Sequence, residues 1–66
     1  MKLLVNGVAV DLAEATTVVG LLKTLGRNAR GVAVAVNGEV VPRSTWSYVE
    51  LRVGDHVEVL VVAQGG

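Results

Sequence analysis

The sequence of 66 residues contains no cysteine and one histidine, so it forms no disulfide and offers few ligands for a structural zinc ion. Aromatic side chains are also scarce, with one tryptophan, one tyrosine and no phenylalanine. A domain of about 60 residues buries only about 60% of the surface of its unfolded chain. We therefore expect one small domain, stabilised by a dense core of valine, leucine and alanine.

Neither sign of charge is in excess, because six basic and six acidic residues give a formal net charge of zero. A nucleic-acid interface needs clustered Lys and Arg. The nearest cluster is Lys23, Arg27 and Arg30, which we interpret as the solvated end of a helix. The apolar runs at 3–5 and 57–63 are too short for a secretory signal or a membrane span. We expect a cytoplasmic monomer that binds neither nucleic acid nor membrane.

Turn-forming residues divide the chain into short apolar segments. Asn-Gly pairs at 6–7 and 37–38 predict hairpins, because both central positions of a type I′ turn need positive φ. Gly-Asp at 54–55 predicts another turn, and Pro42 ends a strand because proline has no N–H to donate. The predicted strands are residues 2–5, 8–11, 32–36, 39–41 and 56–62.

One helix is predicted between the second and third strands. Val18, Leu21, Leu22 and Leu25 follow the i, i+3, i+4, i+7 spacing of a single helix face. A threonine at 16 or 17 can cap the first turn, and Gly26 is a suitable stop. The helix has to pack on one face of the sheet, because only this arrangement covers the apolar sides of both.

This order of elements predicts an α+β fold of the β-grasp (ubiquitin-like) type. It is a roll with a mixed sheet of four to five strands and one helix on one face, in which the first and last strands lie side by side in the middle. We expect a β-grasp domain over 1–62 and a flexible C-terminal tail over 63–66, ending in Gly-Gly.

The alternation of the last strand predicts two different faces. If the valines at 57, 59 and 61 point toward the helix, Leu60 and Val62 point to the opposite side. The same alternation in the first strand places Leu4 on that helix-free side. Because a contiguous apolar patch on a small domain often marks a partner site, we predict that Leu4, Leu60 and Val62 form a docking patch.

The chain offers no evident catalytic or metal-binding group of its own. The only imidazole, His56, starts a strand, the acidic residues are dispersed, and no glycine-rich phosphate loop is present. What remains is the final Gly65-Gly66, whose backbone can pass through a channel too narrow for other residues because glycine has no Cβ. The ionised α-carboxylate of Gly66 can attack the α-phosphate of ATP and become an acyl-adenylate, which is open to a sulfur or nitrogen nucleophile.

Several short motifs occur together: V-N-G at 36–38, V-P-R-x-x-W at 41–46, G-D at 54–55 and the closing G-G. In this combination, and over its whole length, the sequence resembles the ThiS family, the sulfur carrier proteins of thiamine biosynthesis. The family has the β-grasp fold. We expect structural roles for two motif residues, with Trp46 covering one edge of the core and Arg43 pairing with an acidic residue or a backbone carbonyl.

The resemblance implies a carrier that is not an enzyme and needs no cofactor or metal. A ubiquitin-activating-like adenylyltransferase would use ATP and Mg²⁺ to adenylate the Gly66 carboxylate. Sulfur from a persulfide would convert it to a thiocarboxylate, and thiazole synthase would accept that sulfur. Gln64 and Gly65 would thread the active sites of these partners. Gln64 departs from the family pattern, in which small residues often precede the glycine pair, and this bears on how the tail is gripped.

Three other functions are compatible with such a tail. A sulfur carrier for molybdopterin synthesis shares the fold and the ending, although V-P-R-x-x-W argues against it. A ubiquitin-like modifier would join the tail to target lysines through an isopeptide bond. A plain interaction module would have no use for the tail at all.

Overall fold

The computed structural model describes residues 1–28 and 30–62. Within them, regular structure comprises β1 Lys2–Val5, β2 Val8–Asp11, α1 Val18–Thr24, β3 Val32–Val36, β4 Glu39–Val40, a 3₁₀ helix Arg43–Thr45 and β5 His56–Val61. All predicted elements are present, and β4 and β5 each end one residue earlier than predicted.

The strands form one mixed sheet in the order β2-β1-β5-β3-β4. β1 and β5 are parallel neighbours in the middle, and every other pair is antiparallel. Buried residues of α1 and buried residues of β1, β3 and β5 belong to one core cluster, so the helix packs on one face of the sheet. The predicted α+β roll is confirmed.

Both hairpins turn at the predicted Asn-Gly pairs. Asn6 and Gly7 have φ of 51° and 80°, and Asn37 and Gly38 have φ of 52° and 84°. These left-handed conformations are those of a type I′ turn, which matches the twist of the strands that it joins. The turns therefore set the register, pairing Val5 with Val8 and Val36 with Glu39.

The helix begins and ends at specific caps. The Thr17 hydroxyl accepts a hydrogen bond from the Gly20 N–H at 3.1 Å. At the other end Gly26 has a φ of 69°, its N–H donates to the Lys23 carbonyl at 3.0 Å, and the Arg27 N–H donates to the Leu22 carbonyl at 2.8 Å. This pair of bonds is a Schellman motif, which favours glycine at the left-handed position. In the described parts of the chain, no helix is long and apolar enough to cross a membrane.

The core between α1 and the sheet is entirely apolar. Its members are buried aliphatic residues and one indole ring: Leu3, Val5, Leu12, Val18, Leu21, Leu22, Val32, Val34, Trp46, Leu51, Val57 and Val59. The Trp46 ring is 3% exposed and its Nε1–H donates to the Val41 carbonyl at 2.8 Å, so the only polar atom of the ring is satisfied. Trp46 has the structural role that the sequence predicted for it.

One residue of β5 lies on the face that the alternation predicted but is not covered there. Val57 and Val59 are buried, and Val61 lies on the same side of the sheet, but it is 69% exposed. Val61 pairs with Val32 near the end of β5 and borders an open groove beside the loop that follows α1. α1 ends at Thr24, and the groove lined by the residues after it leaves this end of the strand open.

Candidate functional site

The strand that leads to residues 63–66 is hydrogen-bonded on both sides. β5 pairs with β1 in parallel and with β3 in an antiparallel register that runs from Val36 opposite Val57 to Val32 opposite Val61. One step later the Val62 N–H donates to the Gly31 carbonyl at 2.7 Å. The backbone is therefore held in place up to Val62, which we call the tail root.

Two asparagine side chains add to this anchoring, and sequence reasoning missed both roles. The Asn6 amide exchanges two hydrogen bonds with the backbone of Val59, at 3.1 Å and 2.9 Å. The side-chain Oδ1 of Asn37 accepts a hydrogen bond from the His56 N–H at 2.9 Å, and its Nδ2 donates to the Asp55 carboxylate at 3.0 Å. Both residues occupy the first central position of a hairpin turn, so both turns are tied to β5. One sequence signal could have indicated these roles. Glycine also fits the first position of such a turn, and asparagine adds a side-chain amide that can form hydrogen bonds.

The structure separates Leu4 from the other two residues of the predicted docking patch. Leu60 lies opposite Ala33, and Leu60 and Val62 are 57% and 49% exposed near the tail root. Leu4 is only half-buried and lies opposite His56, four positions before Leu60 on β5, which is a distance of about 13 Å along the strand. Glu58 lies between them on the same face. The apolar surface beside the tail root is therefore formed by Leu60, Val62 and Ala33, without Leu4.

An open groove borders the tail root on the side opposite to Leu60. Val61, Val62, Gly31 and Val32 line it together with three arginine side chains, those of Arg27, Arg30 and Arg43. Arg43 was expected to pair with an acidic residue or a carbonyl, but its guanidinium instead stacks over the Trp46 ring, 5.6 Å from the ring centroid. The stacking gives this cation a defined position, because the ring beneath it is fixed by the core.

The described residues contain no cluster of side chains that could hold a metal ion. Among 1–28 and 30–62, no three His, Cys, Asp or Glu side chains lie together as metal ligands would. Asp55 accepts from the Arg52 N–H at 2.8 Å and from Asn37, so its carboxylate is engaged in the turn before β5. His56 is exposed at the start of β5. The predicted reactive residue Gly66, together with Gln64 and Gly65, lies outside the described residues.

Comparison with known proteins gives matches over nearly the whole chain. The model of the ThiS family matches residues 3–66. The chain is 35% identical to the sulfur carrier protein ThiS of Escherichia coli, and the match covers all of both chains. It is 39% identical to part of a thiazole synthase of Paramagnetospirillum magneticum, and it spans 20% of that protein's length.

Solved structures agree with the sequence matches. A crystal structure of the thiamine biosynthesis protein ThiS from Geobacter metallireducens superposes with a TM-score of 0.87 at 38% identity, covering all of both chains. A solution structure of a thiamine biosynthesis protein from the same organism gives a TM-score of 0.79 at 40% identity, covering all of this chain and 88% of the other.

Proposed function

Because the chain belongs to the ThiS family and is a sulfur carrier of thiamine biosynthesis, we propose that the Gly66 carboxylate is the group that carries the sulfur. The observation that carries the proposal is that the match to the family model extends through Gly65 and Gly66. Family membership also favours the thiamine pathway over a molybdopterin carrier or a ubiquitin-like modifier.

The proposed chemistry has three steps, all performed in partner proteins. A Gly66 carboxylate oxygen attacks the α-phosphorus of ATP, bound with Mg²⁺ in a ubiquitin-activating-like adenylyltransferase, and pyrophosphate leaves. The terminal sulfur of a persulfide then attacks the acyl carbon and displaces AMP, which forms an acyl disulfide. A second thiol cleaves the S–S bond, so that Gly66 keeps the sulfur as a thiocarboxylate and the donor leaves as a disulfide.

The folded domain fixes the point at which the tail begins. The strand up to Val62 is tied to β1, β3 and the loop at Gly31, so the tail leaves the domain from a defined point. Four residues lie beyond Val62, and a fully extended chain of four residues reaches at most about 14 Å. Gly65 and Gly66 add no side-chain width, and Gln64 is the last residue that a partner can grip by a side chain.

Thiazole synthase is the proposed acceptor of the sulfur. A thiazole synthase of Paramagnetospirillum magneticum contains a segment 39% identical to this chain, which amounts to a fifth of that protein. A carrier segment and an acceptor in one polypeptide meet at a high effective concentration. This arrangement supports the proposal that a thiazole synthase accepts sulfur from the present chain.

An intact-mass experiment tests the proposal. The protein is incubated with the adenylyltransferase, ATP, Mg²⁺ and a persulfide donor, and we expect a mass increase equal to the exchange of one oxygen for one sulfur. A variant lacking Gly66 and a variant with alanine added after Gly66 serve as controls. Both should fold normally by circular dichroism and remain unmodified. Modification of either control, or conjugation of the wild type to lysine side chains, would refute the proposal.

A further inference from the structure

The three arginines beside the tail root are placed by independent contacts. The Arg27 backbone is fixed by the helix-ending bond to the Leu22 carbonyl, and the Arg30 N–H donates to the Asn28 side chain at 3.0 Å. Arg43 stacks on Trp46. Each of the three side chains is exposed, and together they border one groove with Val61 and Val62. Half of the six basic residues of the chain are therefore gathered where the tail begins.

No carboxylate of the described chain compensates this charge. The ion pairs found in 1–28 and 30–62 join the Met1 ammonium to Asp11 and Glu14, and neither involves an arginine. None of the described residues that line the groove is acidic. The net charge of zero thus conceals a local excess of positive charge at the tail root.

The short tail brings any partner close to this groove. If Gly66 reacts inside another protein, the reacting atoms lie within about 14 Å of Val62, because four residues reach no further. Val62 itself lines the groove, so the partner's surface around its tail channel comes close to the arginines. When arginine side chains are buried in an interface without anionic partners, they lose the hydration of their charges and gain no ion pair in return. An interface that forms readily has complementary charge on the other side.

We propose that the groove of Arg27, Arg30 and Arg43 docks on an acidic surface, formed by Asp and Glu side chains, that borders the tail channel of the activating adenylyltransferase. The inference rests on the proposed function and adds to it a second contact, separate from the reacting terminus. The arginines steer and orient the carrier, and the tail then enters the channel beside them.

Charge reversal at two matched places tests the docking. The variant carrying Arg27→Glu and Arg30→Glu changes the groove and leaves the Arg43–Trp46 stack intact. The control carrying Lys2→Glu and Arg52→Glu changes the net charge equally, but at the start of β5, about 20 Å along the strand from Val62. Adenylation is followed by pyrophosphate release at several salt concentrations, and the melting temperature of each variant is recorded.

The groove variant should lose about tenfold in kcat/KM for the carrier at low salt, with kcat nearly unchanged and a weaker dependence on salt. The control should stay within about twofold of the wild type. Equal losses in both variants, or no loss in the groove variant, would overturn the inference. A raised KM for ATP with an unchanged KM for the carrier would assign the arginines to the nucleotide and overturn it too. If the wild type itself is not adenylated, it is the proposed function that fails.

Discussion

The side-chain amide of Asn6 occupies the place of a strand residue beside Val59. Its Nδ2 donates to the Val59 carbonyl at 3.1 Å, and the Val59 N–H donates to its Oδ1 at 2.9 Å. The backbone partners between β1 and β5 are Leu4 with His56 and Val5 with Val57. Where the chain turns away at Asn6, the amide continues the pairing. The strand leading to the tail is thereby held further along its length than the backbone of β1 reaches.

Removing this amide should destabilise the domain. In Asn6→Gly the positive φ is still accommodated, so the loss reports the two hydrogen bonds, and we expect about 2 kcal/mol in the free energy of unfolding. Asn6→Ala loses the same bonds and adds the strain of a left-handed alanine, for a total of about 3 kcal/mol. Urea unfolding followed by circular dichroism measures both. Equal stability of Asn6→Gly and the wild type would show that the amide contributes nothing.

The end of α1 provides a test of backbone conformation alone. Gly26 has a φ of 69°, and a Cβ built there meets no atom within 4 Å, so a side chain meets strain but no clash. Gly26→Ala should therefore lower the free energy of unfolding by about 1–2 kcal/mol. Gly26→Asn should lower it by clearly less, because asparagine adopts this conformation more readily. If both variants unfold at the same urea concentration as the wild type, the Schellman motif does not contribute to stability.

The indole of Trp46 closes one edge of the core and satisfies the Val41 carbonyl. Trp46→Phe removes the Nε1–H donor and part of the ring, so we expect a loss of about 2–3 kcal/mol. Arg43→Ala removes only the exposed cation above the ring and should cost about 0.5–1 kcal/mol. Thermal unfolding by circular dichroism compares the two. A larger loss for Arg43→Ala than for Trp46→Phe would contradict this assignment of roles.

The apolar surface beside the tail root should matter for docking and not for folding. Leu60 is 57% exposed, so Leu60→Ser should leave the melting temperature nearly unchanged. If the surface is covered by the adenylyltransferase, the same change should reduce kcat/KM for the carrier about tenfold. Val53, which is 72% exposed in the turn before β5, offers a matched control in Val53→Ser. Equal activity of the two variants would remove Leu60 from the interface.

Local signals were sufficient for most of the secondary structure. The Asn-Gly pairs, the helical spacing that starts at Val18 and the stop at Gly26 each depend on φ preferences or periodicity, which act within a few residues. Alternation predicted the face of Val61 but not its exposure, because burial depends on what packs over a side chain. The stop at Gly26 is a local signal, but which strand residues the helix covers depends on how it lies across the sheet.

The predicted patch shows the same limit. Alternation correctly assigned Leu4 and Leu60 to the helix-free face, but their separation depends on how far β1 is shifted along β5. That register is determined by long-range hydrogen bonds, such as the one that the Leu4 N–H donates to the Asp55 carbonyl at 2.9 Å. The Asn6–Val59 contact and the groove of three arginines arise in the same way, from residues far apart in the chain.

The sequence alone determined the number and type of elements, the two turns, the apolar composition of the core and the identity of the terminal glycines, since each is a property of a residue or its near neighbours. Tertiary structure decided which side chains meet: two turn asparagines on β5, an uncovered Val61, and Arg27, Arg30 and Arg43 around the point where the tail begins. The physical reason is that contacts between distant residues depend on strand register and on how the helix lies across the sheet. Both are settled only when the whole domain packs.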